Sequence, residues 1–168
     1  MGFDTGQRTI QVGVGKGRAG KGGIQKVNVT SGASLLAAET ILQSAIVEAG
    51  SLYKNGQGVR VFAAGKVAAN GNDKLVKMYA GASEIFSTGT VAGNDVQWFI
   101  EAYIFRTAVD VQLAFARGVL EGGTYSVIRT ALTLDDGADI TITIKGTAAT
   151  ADSDITGEIL TVETLAAP

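Results

Sequence analysis

Val96-Gln97-Trp98-Phe99-Ile100-Glu101-Ala102-Tyr103-Ile104-Phe105-Arg106-Thr107 is the stretch that decides the fold. Its side chains alternate with a period of two, the repeat of a β-strand. Val96, Trp98, Ile100, Ala102 and Ile104 take one face, which is wholly apolar and belongs against a core. Gln97, Phe99, Glu101, Tyr103 and Phe105 take the other, which is aromatic but broken by polar groups and suits contact with a neighbour. Because Trp98 sits on the apolar face, it is expected in the core and not on a sugar-stacking platform.

Similar alternation recurs on both sides of this strand. Gly58–Ala63, Lys74–Tyr79, Val109–Phe115, Thr124–Leu132, Ile140–Lys145 and Ile155–Leu165 read as strands, with a short one around Ile85 and Phe86. Glycine, asparagine or aspartate bounds most of them. Asn70-Gly71-Asn72-Asp73 reads as a hairpin turn, since Asn-Gly tolerates positive φ at both residues. Residues 33–50 fit two readings. Leu35, Ala38, Leu42, Ala45, Ile46 and Ala49 share a helical face, whereas a strand over Thr40–Val47 puts Ile41, Gln43, Ala45 and Val47 on one side. Many short strands without long helices predict an all-β fold, an antiparallel β-sandwich of jelly-roll type over residues 28–168.

Composition bounds the chemistry. The chain has 168 residues, 46% hydrophobic and 18% charged, which suits a single domain with a sizeable core. It has no cysteine and no histidine. That excludes disulfides, thiolate nucleophiles, His-based triads and His- or Cys-ligated metals. Paired carboxylates or lysine are what remains for catalysis. Glu84, Glu101, Glu121 and Glu158 are the candidates, but no motif brings two of them together. A protein that binds or builds is expected, without cofactor.

Residues 1–27 differ from the rest. Thr9-Ile10-Gln11-Val12-Gly13-Val14 alternates like a strand, but Gly15–Gly23 offers no core-forming side chain larger than alanine. An extended, glycine-rich N-terminal arm is expected over 1–27. Residues 1–30 carry net charge +4, against −2 for the whole chain, so the arm is basic and the body acidic. Arg8, Thr9, Ile10, Val12, Lys16, Arg18, Lys21 and Lys26 are therefore the expected assembly contacts, the cations meeting acidic surfaces and Thr9–Val14 adding a strand to a neighbour's sheet edge.

Other motifs carry less. Gly15-x-Gly17-x-x-Gly20-Lys21 matches phosphate-binding loops by letter, but Gly22 stands where magnesium needs Ser or Thr, and no helix-forming sequence follows. Nucleic acid is disfavoured, since the chain is acidic overall and the arm has no aromatic beyond Phe3. Asp135-Asp136-Gly137-Ala138-Asp139 and Asp152-Ser153-Asp154 offer oxygens to calcium, yet neither fits a calcium loop and both read better as turn formers. No export or membrane-spanning segment is expected.

From about Ser51 onward the order of features resembles a family of small β-sandwich proteins of tailed-bacteriophage particles, head decoration (cement) proteins and head or tail fibre domains. The resembling segments are Leu52–Val61, Ala68–Gly81, Trp98 with Ile104–Thr107, Ile140–Ala149 and Asp154–Glu163. Together they cover roughly two-thirds of the chain and are strand-and-turn motifs, not a catalytic signature. The resemblance implies an extended strand over residues 40–48 and a homotrimer on the capsid surface of a virion, assembled in the host cytoplasm. It implies a major capsid protein and like subunits as partners. A fibre-type or glycan-binding module is the alternative. The family pattern usually has a proline in the segment matching Glu39–Leu52, and this chain has none there.

Overall fold

The computed structural model describes residues 23–35, 38–121, 123, 125–149 and 153–165. Its elements are β1 (Gly23–Asn28), β2 (Gly32–Ala33), β3 (Thr40–Val47), β4 (Gly58–Val67), β5 (Asp73–Ala80), β6 (Ser83–Ser87), β7 (Val91–Ala92), β8 (Gln97–Ala108), β9 (Val111–Leu120), β10 (Ser126–Leu132), β11 (Ile140–Ala148) and β12 (Ile155–Leu165). The larger sheet has the order β1-β12-β4-β8-β9-β10, with β2 also on β12. The smaller has the order β3-β11-β5-β6, with β7 also on β5. All ten described pairings are antiparallel. The described residues contain no helix, so the expected all-β antiparallel sandwich is what the chain forms.

The core lies between the sheets and follows the alternation. Trp98, Ile100, Ala102 and Ile104 of β8 point inward and meet Val76, Met78, Ile142 and Ile144 in one cluster. Trp98 is 1% exposed, and its indole N–H donates to the Thr156 carbonyl at 3.1 Å. Gly65 makes room for it: a Cβ there would lie 2.0 Å from that carbonyl oxygen and 2.7 Å from the indole ring. The tight β8–β9 turn needs Asp110 at φ 53°, a conformation aspartate tolerates better than most residues.

Three local expectations are corrected. Asn70-Gly71 closes no hairpin. It carries the chain from β4 in the larger sheet to β5 in the smaller, and neither residue adopts positive φ. Residues 40–47 are a strand, but Ile41 does not share a face with Gln43, Ala45 and Val47. A register shift opposite Ile144/Lys145 turns Ile41 outward and buries Leu42. The expected boundary at 27/28 falls inside β1, because Val27 and Asn28 pair with Thr161 and Leu160 of β12.

Candidate functional site

The two outer faces differ in chemistry. On the smaller sheet, charges pair with one another. Glu39 meets Lys145 at 2.8 Å and Lys77 at 3.6 Å, and Lys77 meets Glu84 at 2.9 Å. The Tyr79 hydroxyl donates to Glu39 at 2.9 Å, and Lys145 lies 4.4 Å from the centroid of its ring. The hydrogen bond from Lys145 holds the Glu39 carboxyl below its ordinary range; burial, followed by the bond to Glu39, pushes the Tyr79 phenol up. Beside these paired charges the same face exposes Ile41 and Ile46 of β3.

The outer face of the larger sheet is apolar and aromatic. Its register aligns Phe62 of β4 with Glu101 of β8 and Arg117 of β9, and Ala64 with Phe99 and Val119. Tyr103 and Phe105 stack along β8 with centroids 6.4 Å apart and planes 6° from parallel. Phe115 and Val127 continue the surface onto β9 and edge strand β10, where Val127 is 68% exposed. No described residue covers this face.

One charged cluster crosses it. Glu101 is only 5% exposed. Its Oε1 accepts from Arg60 Nε at 2.8 Å and from the Tyr103 hydroxyl at 3.0 Å, and its Oε2 accepts from Arg117 Nε at 2.7 Å. Burial pushes the Glu101 carboxyl up, but the hydrogen bonds from Arg117, Tyr103 and Arg60 outweigh it and hold the group below the usual carboxylate range. The two guanidiniums keep their outer edges in water, so the cluster is a polar landmark within an apolar plane.

Beside the cluster, toward the β9–β10 loop, the face dips into a cleft of about 760 Å³. Phe62, Phe99, Val119 and Ile159 supply its apolar surface, and Lys66, Gln97, Glu121 and Glu158 its polar groups. Lys66 pairs with Glu158 at 3.5 Å. Glu121 accepts a long bond, 3.4 Å, from the Gln97 N–H and meets no cation among the described residues.

The sequence candidates fare unequally. Of the four glutamates, only Glu121 and Glu158 line one cleft; Glu101 is locked by arginines and Glu84 lies on the other sheet. The aspartate clusters serve structure. Asp136 takes Arg106 Nε at 2.6 Å and the Asp110 N–H at 2.8 Å, and Asp139 accepts from the Ala49 N–H at 2.8 Å. Asp154 accepts from Asn70 at 2.7 Å and Asn72 at 3.2 Å. No group of three or more potential metal ligands occurs among the described residues. Where a cation would sit near Asp154, the chain supplies its own: the Lys74 ammonium, fully buried, donates to the carbonyls of Asn70, Asn72 and Gly93 and to Asn70 Oδ1 at 2.8–3.0 Å.

Of the expected assembly contacts, Lys26 lies in β1 and pairs within its own chain with Glu48 at 3.5 Å. Arg8, Thr9, Ile10, Val12, Lys16, Arg18 and Lys21 lie outside the described residues, as does the glycine motif of 15–20. The sequence reading missed Arg60 and Arg117 as partners of Glu101. The available signal was a lone carboxylate on an aromatic strand face, which needs cations on the flanking strands.

No protein-family model matches the chain, nor does the sequence of any curated protein. Among solved structures it is similar to the CBM2 module of the evolved Dit of Lactobacillus casei BL23 phage J-1, at 12% identity over 78% of this chain and 74% of that one, TM-score 0.36. It is also similar to peanut lectin, at 7% identity over 83% and 91%, TM-score 0.41. A third is the marine PL-14 alginate lyase of Aplysia kurodai, at 7% identity over 83% and 99%, TM-score 0.39. Likeness this distant carries no argument about what this chain binds.

Proposed function

We propose that this protein is a non-enzymatic structural module that assembles through the outer face of its larger sheet, as a decoration protein of a bacteriophage head that contacts like subunits and a major capsid protein. The observation that carries the reading is the aromatic outer face of the larger sheet, where Phe99, Tyr103, Phe105, Phe115 and Val127 lie uncovered by any described residue around the Arg60–Glu101–Arg117 cluster. The resemblance of residues 52–61, 68–81, 98, 104–107, 140–149 and 154–163 to virion β-sandwich proteins supports the finer assignment. The strand order β1-β12-β4-β8 in one sheet and β3-β11-β5-β6 in the other supports a jelly-roll winding with β9 and β10 appended. A coat protein that binds only the assembled shell stabilises it by its binding free energy.

The basic segment that includes Arg8, Lys16, Arg18 and Lys21 is assigned a tethering role in the same reading. Twenty-two residues precede β1, which at about 3.3 Å each span up to roughly 70 Å. Deleting residues 1–22 is expected to leave the β-type circular dichroism spectrum intact and to abolish binding to particles or the oligomeric state. Unchanged particle affinity and oligomer number in that variant would remove the tether.

A second reading is a glycan-binding module, favoured by the gathering of Phe99, Tyr103, Phe105 and Phe115 on one sheet face. Counting copies per particle separates the two: a coat protein occurs in many copies across the head, a receptor-binding module in few at tail or vertices.

A further inference from the structure

We propose, resting on the assembly reading above, that the Phe62–Phe99 cleft is the socket for the glycine-rich basic segment Gly15–Gly22 of a neighbouring copy. Charge comes first. Lys66 and Glu158 pair with each other, and Glu121, exposed at the rim of a cleft lined by Phe62 and Phe99, meets no cation among the described residues. That combination suits a guanidinium or ammonium, which gains from both the carboxylate and the ring faces.

The chain carries a segment of matching chemistry. Gly15-Lys16-Gly17-Arg18-Ala19-Gly20-Lys21-Gly22 sets three cations among residues with almost no side chain. Such a strip lets its backbone approach an open cleft closely while its cations reach inward.

Chain direction selects a neighbour over the same copy. Gly23 pairs with Thr164, and β1 runs from there toward Asn28 opposite Leu160. The cleft lies at that second end, where Ile159, Ala64 and Phe99 are in register. The chain therefore enters β1 at the end away from its own cleft. To reach that cleft, the segment before Gly23 would have to reverse and travel back about five residues of strand, roughly 16 Å, and cross two strands. A copy beside it presents the same cleft without the reversal.

The test is zero-length carbodiimide crosslinking of the full chain at concentrations where it associates, using equal amounts of ordinary and ¹⁵N-labelled protein and reading crosslinked peptides by mass spectrometry. Lys66–Glu158 and Lys26–Glu48, both at 3.5 Å, are internal controls. The expected result is mixed-isotope links from Lys16 or Lys21 to Glu121 or Glu158. Glu121→Gln should remove the links to 121, and with Arg18→Ala should weaken self-association at least tenfold. Links confined to single-isotope pairs would overturn the neighbour as donor. Control links alone in an associating protein, or a double variant that associates normally, would overturn the socket while leaving the assembly reading intact. So would a glycan array hit lost on Phe99→Ala with association unchanged. A chain that stays monomeric at all concentrations and does not bind particles would sink both.

Discussion

The buried ammonium of Lys74 and the buried carboxylate of Asp154 are joined through Asn70 and Asn72 rather than to each other. Asn70 accepts from Lys74 with Oδ1 and donates to Asp154 with Nδ2; Asn72 accepts with its carbonyl and donates with its side chain. The link clamps the crossing from β4 to β5, the approach to β8 through the Gly93 carbonyl, and the start of β12.

Lys74→Met keeps the length of the side chain and strips the amine. It takes three N–H donors away from four acceptors, of which the Gly93 carbonyl is buried and the Asn70 and Asn72 oxygens part-buried. Each donor lost costs on the order of 1 kcal/mol, less where water can replace it, so about 2–3 kcal/mol is expected in urea unfolding. A change below about 1 kcal/mol would show that water replaces the amine freely.

Trp98→Ala should cost about 3–5 kcal/mol, as truncation of large buried aromatics does. Gly65→Ala should be comparably damaging although it adds a single methyl, because its Cβ would press on the Thr156 carbonyl and the indole at once. Thermal melts of both variants check this, and a Gly65→Ala protein as stable as the parent would show that the β4–β12 ladder can shift.

Acid should weaken the fold through Glu101 and Glu39. Both carboxyls are held below their ordinary values in the folded chain. A lowered folded-state pKa contributes stability that is present above the unfolded value, near 4.3, and is lost as pH falls through the folded one. Melting temperature is therefore expected to hold from pH 7 to about 5 and fall below that. Glu101→Gln should flatten the fall and cost about 1–2 kcal/mol at pH 7, modest because Arg60 and Arg117 reach water. A variant with the parent's acid profile would remove Glu101 from the account.

Val127→Lys on the exposed edge strand should change stability by no more than about 0.5 kcal/mol yet impair assembly, since it puts charge into the apolar face. Sedimentation and particle binding measure this. Assembly equal to that of the parent would place the contact surface elsewhere.

The alternation of β8 made the sandwich, its core face and the burial of Trp98 legible from sequence alone. What alternation could not show was which strands lie side by side. Arg60 and Arg117 stand 41 and 16 residues from Glu101, and only the β4-β8-β9 ladder brings them to it. The Asn-Gly pair misled for a related reason. Local turn chemistry is the same whether a turn closes a hairpin or hands the chain to the opposite sheet, and here Asn70 is held by its tie to Lys74 and Asp154. Lys74 itself alternates in phase with Val76 and Met78, so the pattern placed it inward, but nothing nearby in sequence announces the Gly93 carbonyl that receives it.

The unequal dressing of the two sheets has a geometric consequence. If the proposed coat adheres through the larger sheet, the side left outward is the smaller sheet, where most of the charge is already paired. Under that reading the hydrated lattice of Glu39, Lys77, Glu84 and Lys145 would oppose a second layer, and Ile41 and Ile46 would be the apolar side chains left for it to use.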